Sequence, residues 1–150
     1  MLPKHHIILG FIFAFILYFY IGLIPSLIIL LASVLIDVDH YLAYIVVKKD
    51  FNLKKAFTYF YEMGKKTRSK RLKHPLCILH TIEVLLVLGF ISAYSNIVLF
   101  ILSGFLFHSA LDLWYMAKTN MLYTREFLLI NYFKGRWKLN RGAPLGDSKR

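Results

Sequence analysis

Four apolar runs set the pattern of this chain: residues 7–24, 26–47, 76–94 and 97–117. Each is close to the ~20 residues that a bilayer core of ~30 Å demands of a helix. Gly22 and Pro25 punctuate the first junction, and the short uncharged turn from Ser92 to Asn96 separates the last two runs. Between the second and third runs the composition changes. Leu53, Ala56, Phe57, Phe60 and Tyr61 recur there at helical spacing beside Lys54 and Lys55, the pattern of an amphipathic helix lying in the membrane interface. Residues 121–133 are again apolar, with Arg125 and Glu126 interposed, and suggest a further interfacial helix before a basic tail at 134–150. The expected fold is therefore all-α: an integral membrane four-helix bundle in a single domain, residues 1–133, with an interfacial amphipathic helix in its central loop and a basic C-terminal tail.

Composition supports that pattern. Hydrophobic residues make up 58% of the 150 and mean hydropathy is +0.56, too apolar for an ordinary soluble domain. The first run starts after Lys4 alone, exceeds a signal-peptide core in length and lacks a small-residue cleavage site, so it is expected to be a retained span. A net charge of +11 is also a nucleic-acid signal, but its placement argues otherwise. Lys4, ten Lys/Arg between positions 48 and 75, and eight from Lys118 onward account for all 19, and the turns near Pro25 and Asn96 have none. By the positive-inside rule both termini and the central loop face the cytoplasm of the cell (plasma) membrane. The cluster from Lys65 to Lys73, six basic residues in nine, then reads as a topology signal that attracts anionic lipid headgroups, and no nucleic-acid partner is expected.

The unusual residues lie inside the runs. Asp37, Asp39, Glu83 and Asp112 are four of the eight acidic residues, and His40, His80 and His108 three of the six histidines. His5, His6 and His74 stand at run ends, with one ligand and one bystander expected of the first two. An intramembrane charge costs on the order of ~3 kcal/mol at mid-bilayer, so a set this large must be compensated mutually or by an ion. At ~1.5 Å per residue these groups fall roughly 6 to 15 Å from the cytoplasmic ends of their runs, in one layer. His108 and Asp112 share a helical face, with Gly104 one turn earlier leaving room for a neighbour. Asp37 and His40 share one with Ser33 and Tyr44, and regular helical spacing puts His80 and Glu83 on a common face as well. Asp39 points elsewhere on a regular helix, so either it supports a ligand from behind or the helix is locally unwound beside a polar cavity. With one cysteine, Cys77, any metal rests on imidazole and carboxylate.

Taken together, these residues resemble the membrane-bound metal-dependent hydrolases of the YdjM type and their archaeal relatives. The matching segments are His6-Ile7-Ile8-Leu9-Gly10, Leu35-Ile36-Asp37-Val38-Asp39-His40, His80-Thr81 and His108-Ser109-Ala110-Leu111-Asp112, over about residues 1–117. Ile36 stands where that family usually has proline, and its Arg-Gly before the His-Thr segment is absent, with His74-Pro75-Leu76 nearby instead. The resemblance implies hydrolase activity. The bound metal is expected to be divalent, zinc before manganese or iron, and two or more ions are plausible. The expected ligands are His6, Asp37, His40, His80, His108 and Asp112, with Asp39 as a further candidate and Glu83 as general base or partner of a ligand. The substrate class that fits a site in the inner leaflet is a lipid phosphoester or ester. The same residues also suit a non-enzymatic carrier, small transporter or assembly factor. Simple polar packing between helices would more naturally use Ser, Thr and Asn.

Overall fold

Glycine at position 22 turns the chain from its first helix into its second. In the computed structural model, which describes residues 3–70, 77–122 and 127–131, Gly22 has φ +82°, a left-handed conformation that L side chains rarely adopt. It joins α1 (Pro3–Ile21) to α2 (Leu23–Leu35) with no other residue between. Pro25 therefore sits inside the first turn of α2, where its missing N–H costs nothing, rather than in the connection. Gly10 and Ser33, nearly equidistant from Gly22 along the chain, face each other, so the two helices run antiparallel.

The second apolar run is not one helix. α2 ends at Leu35 and α3 (Val38–Lys48) begins after Ile36 and Asp37. Across the junction Asp37, Asp39 and His40 donate their N–H groups to Val34, Ile36 and Asp37, three residues back instead of four. The break forms although no proline is present. α4 (Leu53–Lys70) packs against α3 and carries the amphipathic pattern, and it continues beyond Tyr61 into the basic run as far as Lys70. Arg71 to Lys73, His74 and the tail 134–150 lie outside the described residues, as do residues 123–126 and 132–133 of the proposed helix at 121–133.

The third run is shorter than its hydropathy predicts. Ile78–His80 forms a 3₁₀ turn, Thr81 is extended, and α5 covers only Ile82–Ser92. α6 (Asn96–Lys118) is one uninterrupted helix. α2 lies against both α1 and α6, and α5 packs on α6. Ala32, Ile36 and Phe105 are buried between them, with Leu79, Leu85, Leu88 and Ile101 packed around. A Cβ on Gly104 would stand 2.5 Å from the Ile29 carbonyl oxygen and 2.8 Å from the Ala32 Cβ, so the α2–α6 approach depends on glycine there. The described residues are all-α, with six helices and no strand. Two segments, Leu23–Lys48 and Asn96–Lys118, are long and apolar enough to cross a membrane; the apolar helices His5–Ile21 and Ile82–Ser92 are shorter.

Candidate metal centre

His108 is the hub. It lies in the middle of α6 with its side chain fully enclosed, and the α2 backbone passes close enough, because of Gly104, for its Nδ1–H to donate to the Ser33 carbonyl at 2.7 Å. With that nitrogen protonated, Nε2 carries the lone pair. Nε2 lies 3.5 Å from Asp37 Oδ1 and 3.8 Å from Asp112 Oδ2.

His80 reaches the same point from the 3₁₀ turn. Asp39, turned inward by the α2–α3 break, accepts the Leu79 N–H at 2.7 Å and lies 3.4 Å from His80 Nδ1, both on Oδ2. A proton on Nδ1 satisfies that contact and leaves His80 Nε2 as an acceptor, 3.5 Å from the Nε2 of His108. Two imidazole lone pairs turned toward each other at this distance repel unless a proton or cation lies between them. Nitrogens on a tetrahedral zinc ion with ~2.0–2.1 Å bonds stand roughly 3.3 Å apart, so the donor set fits a metal.

His6, from the first turns of α1, stacks its ring on that of His108 with centroids 4.1 Å apart and places Nε2 3.2 Å from Asp112 Oδ1. It is buried whereas His5 is exposed, which separates ligand candidate from bystander. Two sets of donor atoms thus converge, each within 4.8 Å: His6, His108 and Asp112, and Asp37, His80 and His108. His108 belongs to both, with a single nitrogen to give.

Three expected site residues fall outside these sets. His40 Nδ1 is 3.4 Å from Asp37 Oδ1, and its ring meets His80 and Phe60 edge-on, so it borders the centre. Asp39 orients His80. Glu83 does not share a helical face with His80, because the 3₁₀ turn and extended Thr81 intervene. Its Oε1 accepts the Leu129 N–H at 2.9 Å, next to the Ile82 N–H bond to the Phe127 carbonyl, and fastens residues 127–131 to the start of α5. Sequence reasoning placed Ser33 on the polar stripe but gave no role to its carbonyl, or to the Leu79 amide. Backbone donors and acceptors leave no trace in residue type.

The chain matches no family model, no curated protein and no solved structure. The likeness to the YdjM-type hydrolases rests on the quoted motif residues alone.

Proposed function

We propose that this chain is a membrane-embedded, divalent-metal-dependent hydrolase acting on a lipid phosphoester at the cytoplasmic leaflet. The observation that carries the metal reading is the convergence of the His80 and His108 Nε2 atoms, each with its Nδ1 engaged elsewhere, beside Asp37 and Asp112. The membrane reading rests on the inverted distribution of side chains. His6, Ser33, Asp39, His80, Thr81 and His108 are buried, while Phe19, Ile24 and Phe90 are at least 70% exposed. A protein folded in water arranges these types the other way round. Together with the Lys/Arg distribution, this favours a four-span bundle with cytoplasmic termini.

A bound divalent ion supplies Lewis-acid polarisation of a phosphoryl oxygen and a water acidified toward neutrality. The residues hold and orient. Ser33 and Asp39 fix the two imidazoles, Asp37 and Asp112 bring negative charge to them, and the surrounding helices exclude bulk water. Glu83 is tied to the Leu129 N–H outside both donor sets, so its role as base is the part of this reading that Glu83→Gln tests, with glutamine still accepting that N–H.

Metal analysis of the detergent-purified chain, paired with turnover on a panel of lipid phosphoesters, tests the reading. The wild type is expected to retain zinc, manganese or iron, and His108→Ala to lose it. Glu83→Gln is expected to keep the metal and lose turnover. A wild type without metal after metal-replete expression overturns the metal centre. Bound metal with no turnover on any ester replaces the hydrolase by a metal carrier.

A further inference from the structure

Away from the metal centre, the junction of α3 and α4 gathers positive charge around a cavity. A cleft of about 550 Å³ opens between the end of α3 and the start of α4, lined by Tyr44, Lys48, Asn52, Lys54, Lys55, Thr58 and Tyr59. Three of these are lysines, and the neighbouring carboxylate is Asp50, which binds Lys55 Nζ at 2.9 Å. The cleft keeps a surplus of positive charge after that pair is formed.

Two of the three lysines, Lys48 and Lys55, are held by specific contacts. Lys48, in the last turn of α3, places its ammonium 5.2 Å from the centre of the Tyr59 ring. The connection between the helices is fixed by a series of bonds. Lys49 ends α3 in the left-handed conformation, Asp50 accepts the Asn52 N–H at 2.9 Å, and Asn52 Oδ1 accepts the Lys55 N–H at 3.0 Å. Tyr41 donates its hydroxyl to the Phe51 carbonyl at 2.7 Å. The hydrogen bond from Lys55 holds the Asp50 carboxyl below its ordinary value, and the same bond raises Lys55, so both stay charged at neutral pH. The start of α4 adds the positive end of its helix dipole on the same side.

Position decides what an anion here is attached to. Lys48 is the last residue of the apolar segment Leu23–Lys48, and Phe51, Leu53 and Phe57 beside the cleft are exposed. A basic cavity whose lining residues alternate in sequence with exposed aromatic and aliphatic side chains, at the end of an apolar segment, suits the level of lipid phosphates. We propose that the α3–α4 cleft is a binding site for the phosphate headgroup of an anionic phospholipid. It rests on the membrane reading and is independent of the hydrolase reading.

Native mass spectrometry of the full chain in detergent, offered phosphatidylglycerol or phosphatidylcholine, tests it. The wild type retains phosphatidylglycerol in preference. The double variant Lys48→Gln/Lys54→Gln loses that preference about tenfold or more, since one charge-assisted contact to a phosphate oxygen carries roughly a tenfold effect. Lys65→Gln/Lys66→Gln removes equal charge at positions that do not line the cleft and changes retention by less than about twofold, as for an exposed charge with no fixed partner. Lys48→Arg/Lys54→Arg keeps the preference, and unchanged helix content by circular dichroism shows that each variant is folded. Equal loss in the two glutamine pairs means diffuse attraction without a site and overturns the proposal, as does no loss in either. Displacement of the lipid by equimolar inorganic phosphate identifies a free-phosphate site and overturns the lipid assignment. Metal content stays at wild-type level in the cleft variants, so failure here is distinguishable from failure of the metal centre.

Discussion

Asp39 shows how much can depend on a residue that lies outside both donor sets. Its carboxylate receives an amide and an imidazole on one oxygen, and its side chain is 8% exposed. Replacing it with asparagine keeps an acceptor for the Leu79 N–H but removes the charge that holds His80 Nδ1 protonated. Loss of such an orienting partner typically lowers metal affinity about 10- to 100-fold. Asp39→Asn is therefore expected to fall in that range and Asp39→Ala below it, read by competition with a fluorescent chelator. Equal affinity in wild type and Asp39→Ala shows that His80 needs no orienting. The residue types at this site were legible in the sequence because carboxylates and imidazoles in apolar runs are rare. A supporting role for Asp39 was one of two readings open there; which imidazole it orients was not legible, since that depends on backbone breaks that hydropathy does not report.

At the scale of elements, two interruptions made the difference. Hydropathy predicted continuous helices through residues 26–47 and 76–94, but the chain breaks at Ile36–Asp37 and again at Ile78–Thr81. Aspartates compete for backbone hydrogen bonds, and Thr81 directly before an apolar run is a natural first position for a helix; both were local signals of the breaks. The breaks bring Asp39 and His80 inward while separating His80 from Glu83. Gly104 was legible as a site of close approach, and the neighbour it admits is the α2 backbone. Gly104→Ala is expected to destabilise the fold by roughly 1–3 kcal/mol, because its methyl group meets the Ile29 carbonyl, a rigid neighbour. Thermal unfolding in detergent reads the effect. The variant should also bind metal more weakly, since separating α2 from α6 draws Ser33 away from His108.

At the scale of the whole molecule, the two short apolar helices matter most. α5 spans Ile82–Ser92, about 16 Å at ~1.5 Å per residue, which is too little to cross a ~30 Å bilayer core by itself. The 3₁₀ turn and Thr81 extend it on the cytoplasmic side of the proposed topology, and residues 127–131 close over its start through Ile82 and Glu83. A reporter fused after Asn96 is expected to read the exterior, and one fused after Asn52 the cytoplasm. An interior reading at Asn96 removes the leaflet assignment and with it the cytoplasmic location of the centre. The order of the apolar runs followed from the sequence; the number of helices and their lengths did not, because the second run divides into two helices and side chains that satisfy main-chain groups replace helical turns at the polar layer.

The single available nitrogen of His108 sets a limit on occupancy. Once an ion takes Nε2 with Asp37 and His80, His6 and Asp112 remain as a two-residue remnant; the converse choice leaves Asp37 and His80. Ions at the two positions would thus compete through one imidazole, with negative cooperativity as the expected result. Calorimetric titration of the stripped protein with zinc is expected to resolve a first tight equivalent and a distinctly weaker second. Two equivalents binding in one step with equal affinity would mean that His108 does not arbitrate between them.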